Sequence, residues 1–281
     1  MTARRHLLIA CFVIVAVAAL PRVAVAEDGY ETVFYPSGNL RIAAYLYRPA
    51  GDGPFPLIVY NHGSRAGSER QLRPFPEHAR LFTSAGYAVL VVERRGYGAS
   101  DGPTATDEIG NETGPRLVMR LQEETDDVLA AADYLRTLPF VDSRRLGVVG
   151  WSFGGVVTML AISRSTAFKA AVDQAGGALT WLRSAAMRAA LVEAAGQAKA
   201  PVMLLVAAND ATTESITTVG RTLSERGWPH DMKIYPPFMP PRMTNAAAPG
   251  HLVFSAAGVH VWGDDVLGFL GRYLSPSPPR Q

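Results

Sequence analysis

The sequence predicts an α/β protein: a mostly parallel, doubly wound sheet with helices on both faces and an antiparallel hairpin at its start. Three observations predict it. Short continuous apolar runs such as 57–60 and 202–207 have the length and branched side chains of strands buried on both faces. Segments with apolar residues at helical spacing lie between them, and a parallel sheet needs such crossovers. The apolar content, 48% hydrophobic against 19% charged over 281 residues, is enough for one well-buried core, and no composition shift marks a second domain.

Residues 1–26 are set apart from the rest. Arg4 and Arg5 precede an apolar body from Leu7 to Leu20, and Ala24, Val25 and Ala26 stand in small-x-small order before Glu27. This is the layout of a signal peptide. A spanning helix needs roughly 20 apolar residues, and Pro21 and Arg22 interrupt this stretch sooner, so no stable membrane anchor is expected after leader removal. Export to the periplasm or exterior, with cleavage near Ala26, is the expectation.

Cys11, the single cysteine, leaves with the leader, which excludes thiol chemistry and cysteine metal ligation in the mature chain. Removing Arg4, Arg5 and Arg22 lowers the Lys and Arg count from 27 to 24 against 25 acids, so the formal charge moves from +2 to −1. No nucleic-acid surface is expected.

The remaining elements follow in order. Residues 31–49 read as two strands joined by a turn cluster at Pro36 to Asn39. A buried strand in "FPLIVYNHG", a helix from Glu77 to Ser84 and a strand from Tyr87 to Val92 come next. Leu121, Val128, Ala132 and Leu135 form a stripe on a helix over 117–138, whose acids Glu123, Glu124, Asp126 and Asp127 are expected on a solvated face. Strands over 146–149, 169–173, 202–207 and 232–235 alternate with helices over 153–164, 181–195, 214–226 and 263–273. Residues 27–275 are expected to form one domain, and the proline-rich tail 276–281 to be flexible.

In "GVVGWSFGGVVTMLA", Gly150, Ser152 and Gly154 form G-x-S-x-G between a predicted strand and a predicted helix. Side chains at 150 and 154 would collide with backbone at so tight a turn, and Ser152 is pushed out alone above the sheet edge, where ligands of such sheets bind. A serine hydroxyl is a poor nucleophile unless a histidine takes its proton and a carboxylate orients that histidine. Asp210, ending the strand "PVMLLVAAND", is the candidate acid; Asp173 is the alternate and Glu93 a more distant one. Among the histidines after the serine, His251 in "APGHLVF" sits in a loop able to reach back over it. His260 lies close to the last helix, and His230 precedes the last strand, at the wrong end of the sheet.

The order Ser152, Asp210, His251 and the strand-turn-helix setting resemble the α/β-hydrolase family over nearly the whole mature chain. Within it, "YNHG", "RRGYGASDG" and a "GH" loop followed by "VWGDDVLGFLGRYL" look most like the dienelactone-hydrolase-type branch. That branch usually has a cysteine nucleophile; serine stands here, so ring-opening lactone chemistry is not carried over. The resemblance implies an oxyanion hole from the backbone amides of Phe153 and Ser64, with Arg65 as alternate donor, and a bracing role for His62. It implies a serine hydrolase acting on esters of small to medium acyl groups, without metal or organic cofactor and with a small-molecule ester as partner. The rivals are a peptidase of the prolyl-oligopeptidase type, which "GWSFGG" also suits, and a non-catalytic binding protein on the same fold.

Overall fold

The structure, a computed structural model, describes residues 29–242 and 247–275. The predicted leader 1–26 and tail 276–281 lie outside the described residues.

Strands β1 (Glu31–Ser37) and β2 (Leu40–Tyr47) form the predicted hairpin, paired from Glu31 with Leu46 to Ser37 with Leu40. Its two-residue turn has Gly38 at φ 58°, a conformation glycine adopts without a Cβ clash. There follow β3 (Phe55–Asn61), α1 (Pro76–Ser84), β4 (Ala88–Glu93), α2 (Ala105–Ile109), α3 (Pro115–Leu135), β5 (Val141–Trp151) and α4 (Phe153–Arg164). The chain continues through β6 (Phe168–Gln174), α5 (Ala185–Gly196), β7 (Val202–Ala207), α6 (Glu214–Glu225), β8 (His230–Tyr235) and α7 (Val259–Leu274).

The eight strands make one sheet in the order β1-β2-β4-β3-β5-β6-β7-β8. β2 runs antiparallel to β4, and the pairs from β4 to β8 are parallel. From β3 the chain steps outward to β4, then crosses back over β3 to place β5 on the other side. The loops after β3 and β5 therefore leave in opposite directions above adjacent strands, and a crevice opens at their carboxyl ends. Asn61 lies directly opposite Gly150 at that edge. The fold thus brings the "NHGS" loop next to Ser152.

The apolar runs of β3, β4 and β7 are buried because helices cover both sides: α3 to α6 pack in a row, and α1 pairs with α7. α4 is buried from Gly154 to Ser163, which explains its lack of a polar face. Several boundaries differ from expectation. β5 begins at Val141 rather than 146, where the polar "DSRR" gives no apolar signal. Residues 181–195 divide into a 3-10 turn, Trp181–Arg183, and α5, which Ser184 caps by accepting from the Met187 amide at 3.1 Å. α7 starts at Val259, so His260 lies in its first turn.

The α3 acids need a larger correction. Glu123 and Asp126 reach solvent, but Glu124 and Asp127 are buried, their side chains 1% and 0% exposed. The loop after β4 presses Arg94 and Arg95 onto them, and Arg120 joins from α3 itself. Helical spacing shows which residues share a face, not which cations another element delivers to it.

The sheet centre is packed tightly enough that truncation there is expensive. Ile58→Ala, at a fully buried position on β3, is expected to destabilise the fold by about 2–5 kcal/mol, read from the urea unfolding midpoint.

Candidate active site

β5 ends at Trp151, and the chain turns into α4 through Ser152, whose φ of 59° and ψ of −120° lie where side-chain-bearing residues are strained. Such a conformation costs about 1–3 kcal/mol and persists only if its surroundings impose it. The Ser152 amide donates to the Gln174 carbonyl of β6 at 2.8 Å, and its carbonyl accepts from Val156 at 3.2 Å. Gly150 and Gly154 behave as the sequence suggests. A side chain at 150 would overlap the Gly154 carbonyl, and one at 154 would overlap the carbonyls of Asn61 and His62. The first turn of α4 is therefore pressed against the β3 loop, and the space for a Gly63 side chain ends 3.0 Å from Ser152 Cβ. Ser152 is 9% exposed, and its hydroxyl makes no hydrogen bond to the described residues.

Asp210 lies just beyond β7, its carboxylate fully buried. One oxygen accepts from the Ala211 amide at 2.6 Å and the other from His251 Nδ1 at 2.8 Å. His251 stands in a 3-10 turn, Pro249–Phe254, drawn close because any side chain at Gly250 would overlap Asn209 and the Asp210 amide. The Asn209 side chain fixes the same corner twice, donating to the Phe238 carbonyl and accepting from its amide, each at 2.9 Å. The His251 carbonyl accepts from Trp151 Nε1 at 3.1 Å, and the two rings are 5.7 Å apart. With Nδ1–H committed to Asp210, Nε2 carries the lone pair; it is buried and has no hydrogen-bond partner among the described residues. The structure thus brings His251 and Asp210 into contact and sets His251 against Trp151, the residue before Ser152. Apo sites often tighten the serine-to-histidine bond only when substrate is bound.

The alternates are placed elsewhere. His230 opens β8 at the amino edge of the sheet, engaged by the Trp228 carbonyl and Ser224 hydroxyl. His260 is exposed and lines a groove between α1 and α7 with Glu77 and Arg80. Glu93 is buried in a salt bridge with Arg65.

Phe153 is the first residue of α4, where amides have no intrahelical acceptor. The Ser64 amide donates to no described residue, and neither does that of Arg65, whose side chain holds Glu93 and the Glu69 and Gln71 carbonyls. His62 is fully buried, lying parallel to Phe75 at 5.9 Å and edge-on to Tyr97 at 4.6 Å. Burial, aided by the nearby Arg94 and Arg65 charges, holds its pKa well below the usual histidine value. The neutral ring donates from Nδ1 to the Gly63 carbonyl at 2.7 Å. In a trans peptide the Ser64 N–H points opposite to that carbonyl, so the histidine sets the direction of the amide. Sequence reasoning missed the Gln174, Asn209 and Trp151 contacts; "NHGS" and "AAND" gave positions but no partners.

The order of strands, the elbow serine and the histidine-aspartate pair define the class: the chain has the α/β-hydrolase fold. Residues 74–188 match the prolyl oligopeptidase family, Peptidase S9. The chain is 31% identical over 142 residues to the quorum-quenching protein AidA of Acinetobacter baumannii, covering 50% of this chain and 42% of that one. It is 28% identical over 151 residues to a Synechocystis protein named "Putative carboxymethylenebutenolidase", covering 53% and 60% respectively, which supports the dienelactone-hydrolase-like branch. The matches thus span less than two thirds of these relatives. In structure it is similar to the acylaminoacyl peptidase of Pyrococcus horikoshii, with a TM-score of 0.66 at 20% identity over 90% of this chain and 43% of that one.

Asp173, the alternate acid, ends β6 beside the elbow and is wholly buried against Gly155 and Gly176. One oxygen accepts from the Gly176 amide at 2.7 Å; the other has no partner. Burial pushes its pKa from 3.8 up to about 7. A raised native pKa means the native state holds the proton longer than the unfolded chain, so its contribution to stability is full below 3.8 and is lost as pH rises towards about 7. Asp173→Asn is expected to flatten that slope in urea unfolding series from pH 4 to 8.

Proposed function

We propose that the protein is a serine hydrolase that cleaves carboxylic esters of small to medium acyl groups through an acyl-enzyme. The observation that carries this reading is the buried His251 with Nδ1 bound to Asp210 and Nε2 unpartnered, set beside the strained elbow of Ser152. Ser152 Oγ attacks the ester carbonyl carbon while His251 Nε2 takes its proton, and Asp210 stabilises the resulting imidazolium. The oxyanion forms against the amides of Phe153 and Ser64; losing one such donor typically raises the barrier by about 3 kcal/mol. Collapse of the intermediate expels the alcohol, which takes the proton from His251. Water activated by the same nitrogen then releases the acid and restores Ser152. No cofactor takes part in these steps.

The family match over 74–188 favours a second reading, a peptidase of the prolyl-oligopeptidase type. Both cleave an acyl bond through the same groups, and they differ in the leaving group and in what holds the chain beyond it. The loop from Arg95 to Arg116 carries α2 and is held by Arg70 and Arg120 through the carbonyls of Ser100, Gly102, Arg95 and Pro103. Such a fixed rim suits compact substrates, whether linear esters or lactones. Export through the predicted leader would place this activity in the periplasm or outside the cell.

A panel of p-nitrophenyl esters of graded acyl length, a lactone and a proline-containing chromogenic peptide tests the reading. Wild type is expected to favour short esters and to be labelled by a fluorophosphonate, and Ser152→Ala to lose labelling. Ser152→Ala and His251→Ala are expected to lose at least about 10⁴-fold in kcat, and His260→Ala to stay within about twofold. Cleavage of the peptide ahead of every ester would support the peptidase reading; absence of labelling in folded wild type would support a binding protein.

A further inference from the structure

Behind the oxyanion loop lies a set of buried charges that the reaction above does not use. Arg94, the residue after β4, is 0% exposed. Its Nε donates to one Glu124 oxygen at 2.7 Å, and Arg120 Nε holds the other oxygen at 3.1 Å. Arg94 Nη2 then donates to the carbonyl of His62 at 2.9 Å, and the Tyr97 ring lies 5.5 Å from its guanidinium carbon.

Stability is a poor explanation for this arrangement. Removing two charges from water is costly, and replacing a buried ion pair with apolar residues of similar volume is often neutral or stabilising. Arg94 Nη1 has no partner, so the hydrogen bonding is not even complete. What an apolar replacement could not supply is a fixed donor to a main-chain carbonyl. The His62 carbonyl and the Gly63 amide share one peptide plane; the Gly63 carbonyl, held by His62 Nδ1, and the Ser64 amide share the next. Fixing two successive planes leaves the Ser64 N–H a single direction. The Arg65–Glu93 pair secures the downstream side of the same loop, through the Glu69 and Gln71 carbonyls.

We infer that Arg94, anchored by Glu124 on α3, is a positioning residue for the oxyanion loop: it holds the His62 carbonyl so that the Ser64 amide meets the developing oxyanion. The inference rests on the reading under Proposed function. It ties catalytic geometry to α3, an element that carries none of the proposed catalytic or oxyanion residues. Small errors of placement matter in such a site, where a shift of about 1 Å can cost on the order of 10²-fold in rate.

The full chain and its Arg94→Met, Arg94→Lys, Glu124→Gln and Asp126→Asn variants test it with a short p-nitrophenyl ester and a trifluoromethyl ketone inhibitor that forms the oxyanion adduct. Arg94→Met is expected to lower kcat by about tenfold or more while KM stays within about threefold, and inhibitor affinity should fall in parallel. Lysine, which restores a donor, should recover part of the loss, and the exposed Asp126 on the same helix should show none. Should Arg94→Met fail to fold by circular dichroism, the shape-conserving Glu124→Gln carries the test with the same expected split. Folded variants with unchanged kcat and inhibitor affinity, from an active wild type, overturn the positioning role alone. A wild type that turns over no ester overturns the ester-hydrolase reading and, with it, this inference.

Discussion

The site depends on the backbone of one residue. At Ser152 the chain must end a parallel strand, reverse, and start a helix within three residues, which forces a positive φ on a residue that has a side chain. An isolated peptide would relax that strain. Here it cannot, because α4 lies within contact of the β3 loop at Gly154 and of the β6 loop at Gly155, and the Ser152 amide is tied to Gln174. The strain therefore depends on packing of the whole sheet, and the packing on small residues at the few points where backbones meet.

Consequences of that elbow run outward through the strand order. β3 and β5 are neighbours only because the chain crosses back after β4, so the loop that carries Gly63 and Ser64 lies over Ser152. On the other side, β7 delivers Asp210 and the chain beyond β8 returns with His251. Four segments distant in sequence meet at one sheet edge, each fixed by close backbone packing and by buried side chains such as Asn209, Trp151, His62 and Arg94 that hold main-chain carbonyls. Fixed donors and acceptors need little reorganisation as charge develops, which is where such sites gain their rate.

Much of this was legible in the sequence. The alternation of apolar runs with helical spacing gave the sheet and its covering helices, and Gly150, Ser152 and Gly154 gave the turn, because these signals are local. Asp210 and His251 could be nominated from their place after a strand and in a glycine-proline loop; their contact could not, since 41 residues separate them. Glu124 and Asp127 were misread as solvated for the same reason, their partners arriving from the loop after β4. The residues hardest to read were those whose role depends on a partner supplied by another element.

The two aspartates beside the elbow show why burial alone does not select an acid. Asp173 is the penultimate residue of β6 and Asp210 lies just beyond β7, and both carboxyls are buried. Asp210 has a donor for each oxygen, an amide and an imidazole N–H, so its negative charge is compensated where it lies. Asp173 has one donor and a bare oxygen against the backbone of Gly155 and Gly176, so burial pushes its pKa up to about 7. Burial alone therefore leaves the two carboxyls alike, and their partners separate them: Asp210 holds His251, whereas Asp173 accepts from the Gly176 amide beside Gly155.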